Sequence, residues 1–152
     1  MEDSLKAVKG FLDDNLDTSL GVIESEREEV VKRTGNLSIG ESVTLKFPRV
    51  SVLPDTTDHD YGYDEKPLIR PWLIHNILIW IEHSAGKKEE VLYTLLRYVE
   101  AVNRLQEADD TFGETFVWVK LGAEDYTPLI EDRKEKKMIQ GVSVQLECRS
   151  LS

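Results

Sequence analysis

The stretch WLIHNILIWI, residues 72–81, constrains this chain more than any other. Extended, it presents Leu73, His75, Ile77, Ile79 and Ile81 on one face and Trp72, Ile74, Asn76, Leu78 and Trp80 on the other. Both faces are mostly apolar, which predicts a central strand with protein packed against each side. It is broken by His75 and Asn76 and falls short of the roughly 20 apolar residues a membrane helix needs. No membrane partner is expected.

The segment after it, SAGKKEE, opens the best-defined helix. Val91, Leu92, Leu95, Leu96, Val99, Val102 and Leu105 form one helical stripe ending near Ala108. With Gly86 as N-cap, Glu89 stands at the third helical position, where its charge suits the helix dipole, and Glu100 can pair with Arg104. Leu5, Val8, Leu12 and Leu16 predict a first helix over about residues 3–17. Residues 24–33 read as a short edge strand or an extended link. SVTLKF (42–47) alternates, with Val43, Leu45 and Phe47 on one face, and RVSVL (49–53) resumes beyond Pro48. These are one bent strand or two short ones. TFVWVKL (115–121) and VSVQLECR (142–149) are the last strands. The charged stretch 123–140 between them is too long for a tight turn and reads as a projecting arm or a flexible loop. The sum is an α+β fold: a mostly antiparallel mixed β-sheet with two main helices packed on it.

At 152 residues the chain is expected to be a single domain, 1–152, burying about two-thirds of its unfolded surface. Nineteen basic against 29 acidic residues give a net charge of −10, spread over both halves. A tight nucleic-acid grip needs clustered Lys and Arg, so none is expected. One cysteine, Cys148, allows no internal disulfide and fits a reducing compartment. The N-terminal MEDSLKAVKG lacks the basic and apolar regions of a signal peptide.

The acidic segment DTTDHDYGYDE (55–65) invites a metal reading. In an EF-hand register from Asp58, however, Gly62 falls at the fifth position and Tyr63 at the sixth, where glycine is required. A solvated loop is the simpler reading, and Tyr61, Tyr63 and Asp64 suit a protein-contact surface. His75 and His83, eight residues apart on one strand, are separated by roughly 26 Å at about 3.3 Å per residue and cannot share an ion. Cys148 alternates in phase with Val142, Val144 and Leu146, so it is expected to be buried and inert. No nucleophile elbow and no phosphate-binding glycine loop is present. The chain is therefore read as a non-enzyme with no catalytic, cofactor or metal residue. The basic cluster Arg133, Lys134, Lys136 and Lys137 reads as a solvated loop or an inter-subunit charge contact.

From HNILIWIEHSAGKKEEVLYTLLRYVEAV through the DDTFGE turn and DYTPL to QGVSVQLECRS, the sequence resembles the tail terminator (tail completion) proteins of tailed bacteriophages and prophages. The pattern covers about residues 70–150 closely and the first 70 loosely; Gly113–Glu114 stands where relatives often carry two glycines. The resemblance implies a virion protein of the tail or neck, made in the host cytoplasm. It would assemble with itself, commonly as a hexameric ring, on the head-proximal end of the tail. There it would stop tail-tube polymerisation, touching the tail tube protein and a head-completion or connector protein. A head-completion or head–tail connector role, or that of a non-viral monomeric adaptor, are the alternatives. Tyr61, Tyr63, Asp64 and the Arg133–Lys137 segment become the candidate contacts.

Overall fold

A computed structural model of the chain describes the backbone of residues 1–63 and 66–151 and the side chains of residues 1–62 and 72–150. Its elements are α1 (Glu2–Arg27), β1 (Asn36–Ile39), β2 (Arg49–Tyr63), β3 (Lys66–Ala85), α2 (Lys88–Ala108), β4 (Trp118–Tyr126), β5 (Ile130–Asp132) and β6 (Lys137–Leu151). The fold is α+β, as expected. Its sheet has the order β1-β2-β3-β6-β4, with β5 also paired to β6. Among the described residues only the β1–β2 pair is parallel.

β3 is the central strand. Ile77, Ile79 and Ile81 lie opposite Leu146, Val144 and Val142 of β6, and the last two lie opposite Val52 and Val50 of β2. Residues directly opposite share a face, so these side chains make one apolar layer, and all are fully buried. Both helices cover it. Burying each such side chain is worth about 1.5–3 kcal/mol.

The expectation of cover on both faces of β3 holds on one only. On the outer face Trp72, Ile74, Leu78 and Trp80 are half-buried, and among the described residues no helix lies over them. Neighbouring side chains shield them in part. The ring of Trp80 lies on Gly141, where a Cβ would come within 2.5 Å of it. The guanidinium of Arg149 sits 4.9 Å from the Trp72 ring centroid and 5.5 Å from that of Trp118, and Arg49 donates twice to Glu82, at 2.9 and 3.1 Å.

α1 runs ten residues past its expected end because Leu20 and Ile23 continue the buried stripe of Leu5, Val8, Leu12 and Leu16. It stops at Glu28, which is left-handed with φ 53°. Of the two readings for 24–33, the part beyond the helix is an extended link. Val31 turns into the core while Val30 faces outward. Glu24 holds the link by accepting from Val31 N–H at 3.0 Å and from Arg33 at 2.8 Å. In α2 the N-cap is Lys87, one position later than expected, and the helix ends at Ala108 as read. Tyr98, outside the expected stripe, is fully buried and donates its hydroxyl to the Lys32 carbonyl at 2.8 Å. Arg104 joins Glu100 at 3.0 Å and Glu26 at 2.6 Å, tying α2 to α1.

The strand expected over SVTLKF is absent. Residues 40–48 instead connect the parallel β1 and β2 and pass along the outer face, where the Thr44 carbonyl accepts from Arg49 at 2.7 Å. Val43 and Leu45 are consequently 95% and 85% exposed. Their alternation belongs to a connection, not to a ladder. The expected loop at 55–65 is likewise corrected. β2 continues through Tyr63, and Asp58 and Asp60 pair in register with Ile74 and Trp72. The 123–140 stretch is mostly strand: β4 runs to Tyr126 past a bulge between Leu121 and Glu124, and β5 pairs with the start of β6 across a turn at 133–136. β4 starts at Trp118 and not at Thr115. Asp109 accepts from Thr111 and Gly113 N–H groups at 3.0 and 2.7 Å and winds the preceding residues into a turn, with Phe112 stacked on Phe11.

These corrections are separable by mutation. Leu20→Ala is expected to cost about 2–5 kcal/mol in urea denaturation. Val43→Ser is expected to change stability by less than about 0.5 kcal/mol, which a buried strand position would not allow.

Candidate protein-contact surfaces

β2 and β3 form a hairpin arm that outruns the rest of the sheet. Among the described residues β1 pairs only with Arg49–Val52 of β2, and β6 reaches no further along β3 than Trp72. Along the arm Asp58 accepts from Asn76 at 2.9 Å, with Thr56 accepting from the same amide at 2.8 Å. Asp60 accepts from Arg149 at 2.7 Å. These bonds fasten the polar outer side of the arm to the sheet. Tyr61 is 59% exposed, with the His59 ring stacked 6.3 Å from its own. Of the expected contacts, Tyr61 therefore stands in solvent on a strand. Asp64 and the side chain of Tyr63 lie outside the described residues.

The basic cluster occupies the β5–β6 turn. The Asp132 carboxylate accepts from the Lys134 and Glu135 N–H groups at 3.0 and 3.2 Å, and Lys136 takes a left-handed φ of 52°. This winds the chain tightly and leaves Arg133, Lys134, Lys136 and Lys137 exposed. The structure does not bring this cluster to Tyr61. Ala85 of β3 pairs with Met138 beside the turn, whereas Trp72 pairs with Asp60 on the arm. The strand between them is roughly 43 Å long at about 3.3 Å per residue. The two candidate surfaces mark opposite ends of one sheet.

Sequence reasoning missed a groove beside the basic turn. Leu45 and Phe47 of the β1–β2 connection face Ser84, Met138 and Ile139 across a space of about 420 Å³, with Asp132, Glu135 and Lys137 at its rim. The only available signal was the apolar character of Leu45 and Phe47, which was assigned to a strand face. Also missed was that Trp72, Trp80 and Trp118, all the tryptophans of the chain, share the outer face.

The titratable groups inside the core are held neutral. Burial pushes the Cys148 thiol up to about 12, which removes it as a nucleophile. His75 lies under the sheet with Nδ1 2.6 Å from Ser4 Oγ, and burial, then the N-terminal ammonium and His59, lower its pKa. His83 is fully buried, neither ring nitrogen meets a hydrogen-bond partner among the described residues, and burial pushes its pKa down to about 4. Among the described residues, no group of three or more His, Cys, Asp or Glu side chains is placed to hold a metal ion, and no helix is long and apolar enough to cross a membrane.

No protein-family model matches the sequence, and no curated protein matches it. Among solved structures, a chain from the virion of a native gene transfer agent particle is similar at 11% identity, over 91% of this chain and 95% of that one, with a TM-score of 0.37. At that level the similarity assigns neither fold nor role.

His83 generates a pH dependence of defined sign. Its folded pKa lies below the ordinary 6.5, so its share of stability is whole above pH 6.5 and is lost as pH falls toward 4. That share is about 3 kcal/mol. Denaturation of His83→Leu from pH 7 to 4 is expected to show a shallower decline than the unaltered protein, with His75 and the carboxylates common to both. Equal slopes would mean that the His83 ring is hydrated in the folded state.

Proposed function

We propose that the protein is a structural component of a phage or prophage virion, a tail terminator. In this reading it forms a ring at the head-proximal end of the tail, halts tail-tube polymerisation and joins the tail to the head connector. The observation that carries the reading is the separation of contact-type side chains to the two ends of one sheet. An exposed aromatic on an acidic arm stands at one end, and a basic turn beside an apolar groove stands at the other. A subunit that must touch neighbours on both sides needs contact surfaces that are far apart and rigidly related, and a helix-backed sheet provides this. The sequence pattern over residues 70–150 supports the same role. The net charge of −10 suits a ring through which DNA passes without being held. Nothing in this reading asks the chain for chemistry. The buried, high-pKa Cys148 and the buried histidines act as packing groups.

The test is solution mass by light scattering over a wide concentration range, with negative-stain imaging of the same sample. The terminator reading expects closed rings of one size and, when the protein is added to polymerising tail tubes, shorter and uniform tubes. Rings that bind connectors but leave tube growth unchanged would favour a head-completion role. A stable dimer, or a monomer that leaves tubes uncapped, would overturn the reading.

A further inference from the structure

We infer that two copies of the chain dock head to tail, the arm of one seating Tyr61 in the groove beside the β5–β6 turn of the next. This rests on the self-assembling role proposed above and names the surfaces that would carry it. The groove is apolar at its base, through Leu45, Phe47, Met138 and Ile139. Leu45 is 85% exposed, and Ile130, which pairs directly with Ile139 and so shares its face, is 63% exposed. Apolar side chains left open in this way around a concave site are characteristic of an interaction surface.

The occupant follows from charge. Residues 133–137 hold the densest basic run of the sequence, RKEKK, in a chain whose net charge of −10 makes copies repel one another on average. A second copy must therefore approach this turn with its own negative surface. The arm carries Asp55 and Asp58, both exposed, on the strand that presents Tyr61, although Asp58 also accepts from Asn76. Asp132 commits its carboxylate to the turn's own N–H groups, so the outward charges of 133–137 are the four basic side chains against the single carboxylate of Glu135. The two surfaces sit at opposite ends of the sheet, so within one chain they cannot meet. Between copies the contact is heterologous, the kind that repeats around a ring when the rotation closes. An aromatic anchor in an apolar groove, with the basic turn beside it facing the acidic arm, is the usual build of such a contact.

The test uses the full chain with three variants: the arm reversed (Asp55→Lys with Asp58→Lys), the turn reversed (Lys134→Glu with Lys136→Glu), and all four changes together. Light scattering reads association and urea denaturation checks that each variant folds. The unaltered protein is expected to associate and to weaken as salt rises. Each reversal alone should weaken association about tenfold or more, and the fourfold variant should recover most of it. Tyr61→Ser should weaken association without changing its salt dependence. An unaltered protein that stays monomeric, reversals without effect, or a fourfold variant that stays dissociated would each overturn the docking mode. Tail-tube capping separates the two proposals. Capping that survives both single reversals would leave the terminator role standing without this contact. Association that follows the charge pattern in a protein that caps nothing would leave the contact standing without that role.

Discussion

The burial of the inner face of β3 against α1 and α2 is the constraint on which the rest of the structure depends. Ile79 and Ile81 are flanked on both sides by valines of β2 and β6, and Ile77 by Leu146 of β6 and Pro54 of β2. This layer sets the register of three strands at once, because a slip of one residue would turn every one of these side chains to the opposite face. The hairpin arm, the position of the β5–β6 turn and the groove are consequences of that register. Each lies at a fixed number of pleats from the same row of isoleucines.

The two layers are held by different physics. Sheet and helices meet chiefly through apolar contact, while from α2 Tyr98 donates to the Lys32 carbonyl of the link and Gln106 to the Val119 carbonyl of β4. The exposed sides of the helices are tied by charge, through Arg27 and Arg104 on Glu100 and Arg104 on Glu26. Such partly exposed pairs each contribute little, and they are best understood as fixing the angle between helices that burial has already brought together. On the outer face stacking takes this part, with Arg149 lying over two tryptophans and Trp80 over Gly141.

How far the sequence could be read follows from these forces. β3, β6 and α2 were legible because their periodicity is imposed by a buried layer and leaves a direct trace in the residue pattern. α1 was read too short because Thr18, Ser19 and Gly21 interrupt its polar side while Leu20 and Ile23 keep the stripe intact. Val43 and Leu45 misled for the opposite reason. They alternate with no layer to bury in, and nothing local distinguishes a connection crossing a sheet from a strand within it. The polar arm at 55–62 has no periodicity because its side chains are largely solvated, so only tertiary pairing with β3 reveals it as a strand. Of the candidate contacts, the exposure of Tyr61 and of the basic turn followed from residue type. Their separation, and the groove joining Leu45 and Phe47 to Met138 and Ile139, depend on residues distant in sequence and could not be read locally.

The short reach of β1 has a further consequence. Past Val52, among the described residues, no strand lies beside β2 on that side, so its backbone donors and acceptors face outward along much of the arm. A bare margin of this kind invites indiscriminate strand addition by any passing polypeptide. Pro54 removes one donor there, and the exposed carboxylate of Asp55 adds charge beside it. The acidity of this segment then reads as a safeguard of solubility, set where the sheet would otherwise offer an open edge to any extended chain.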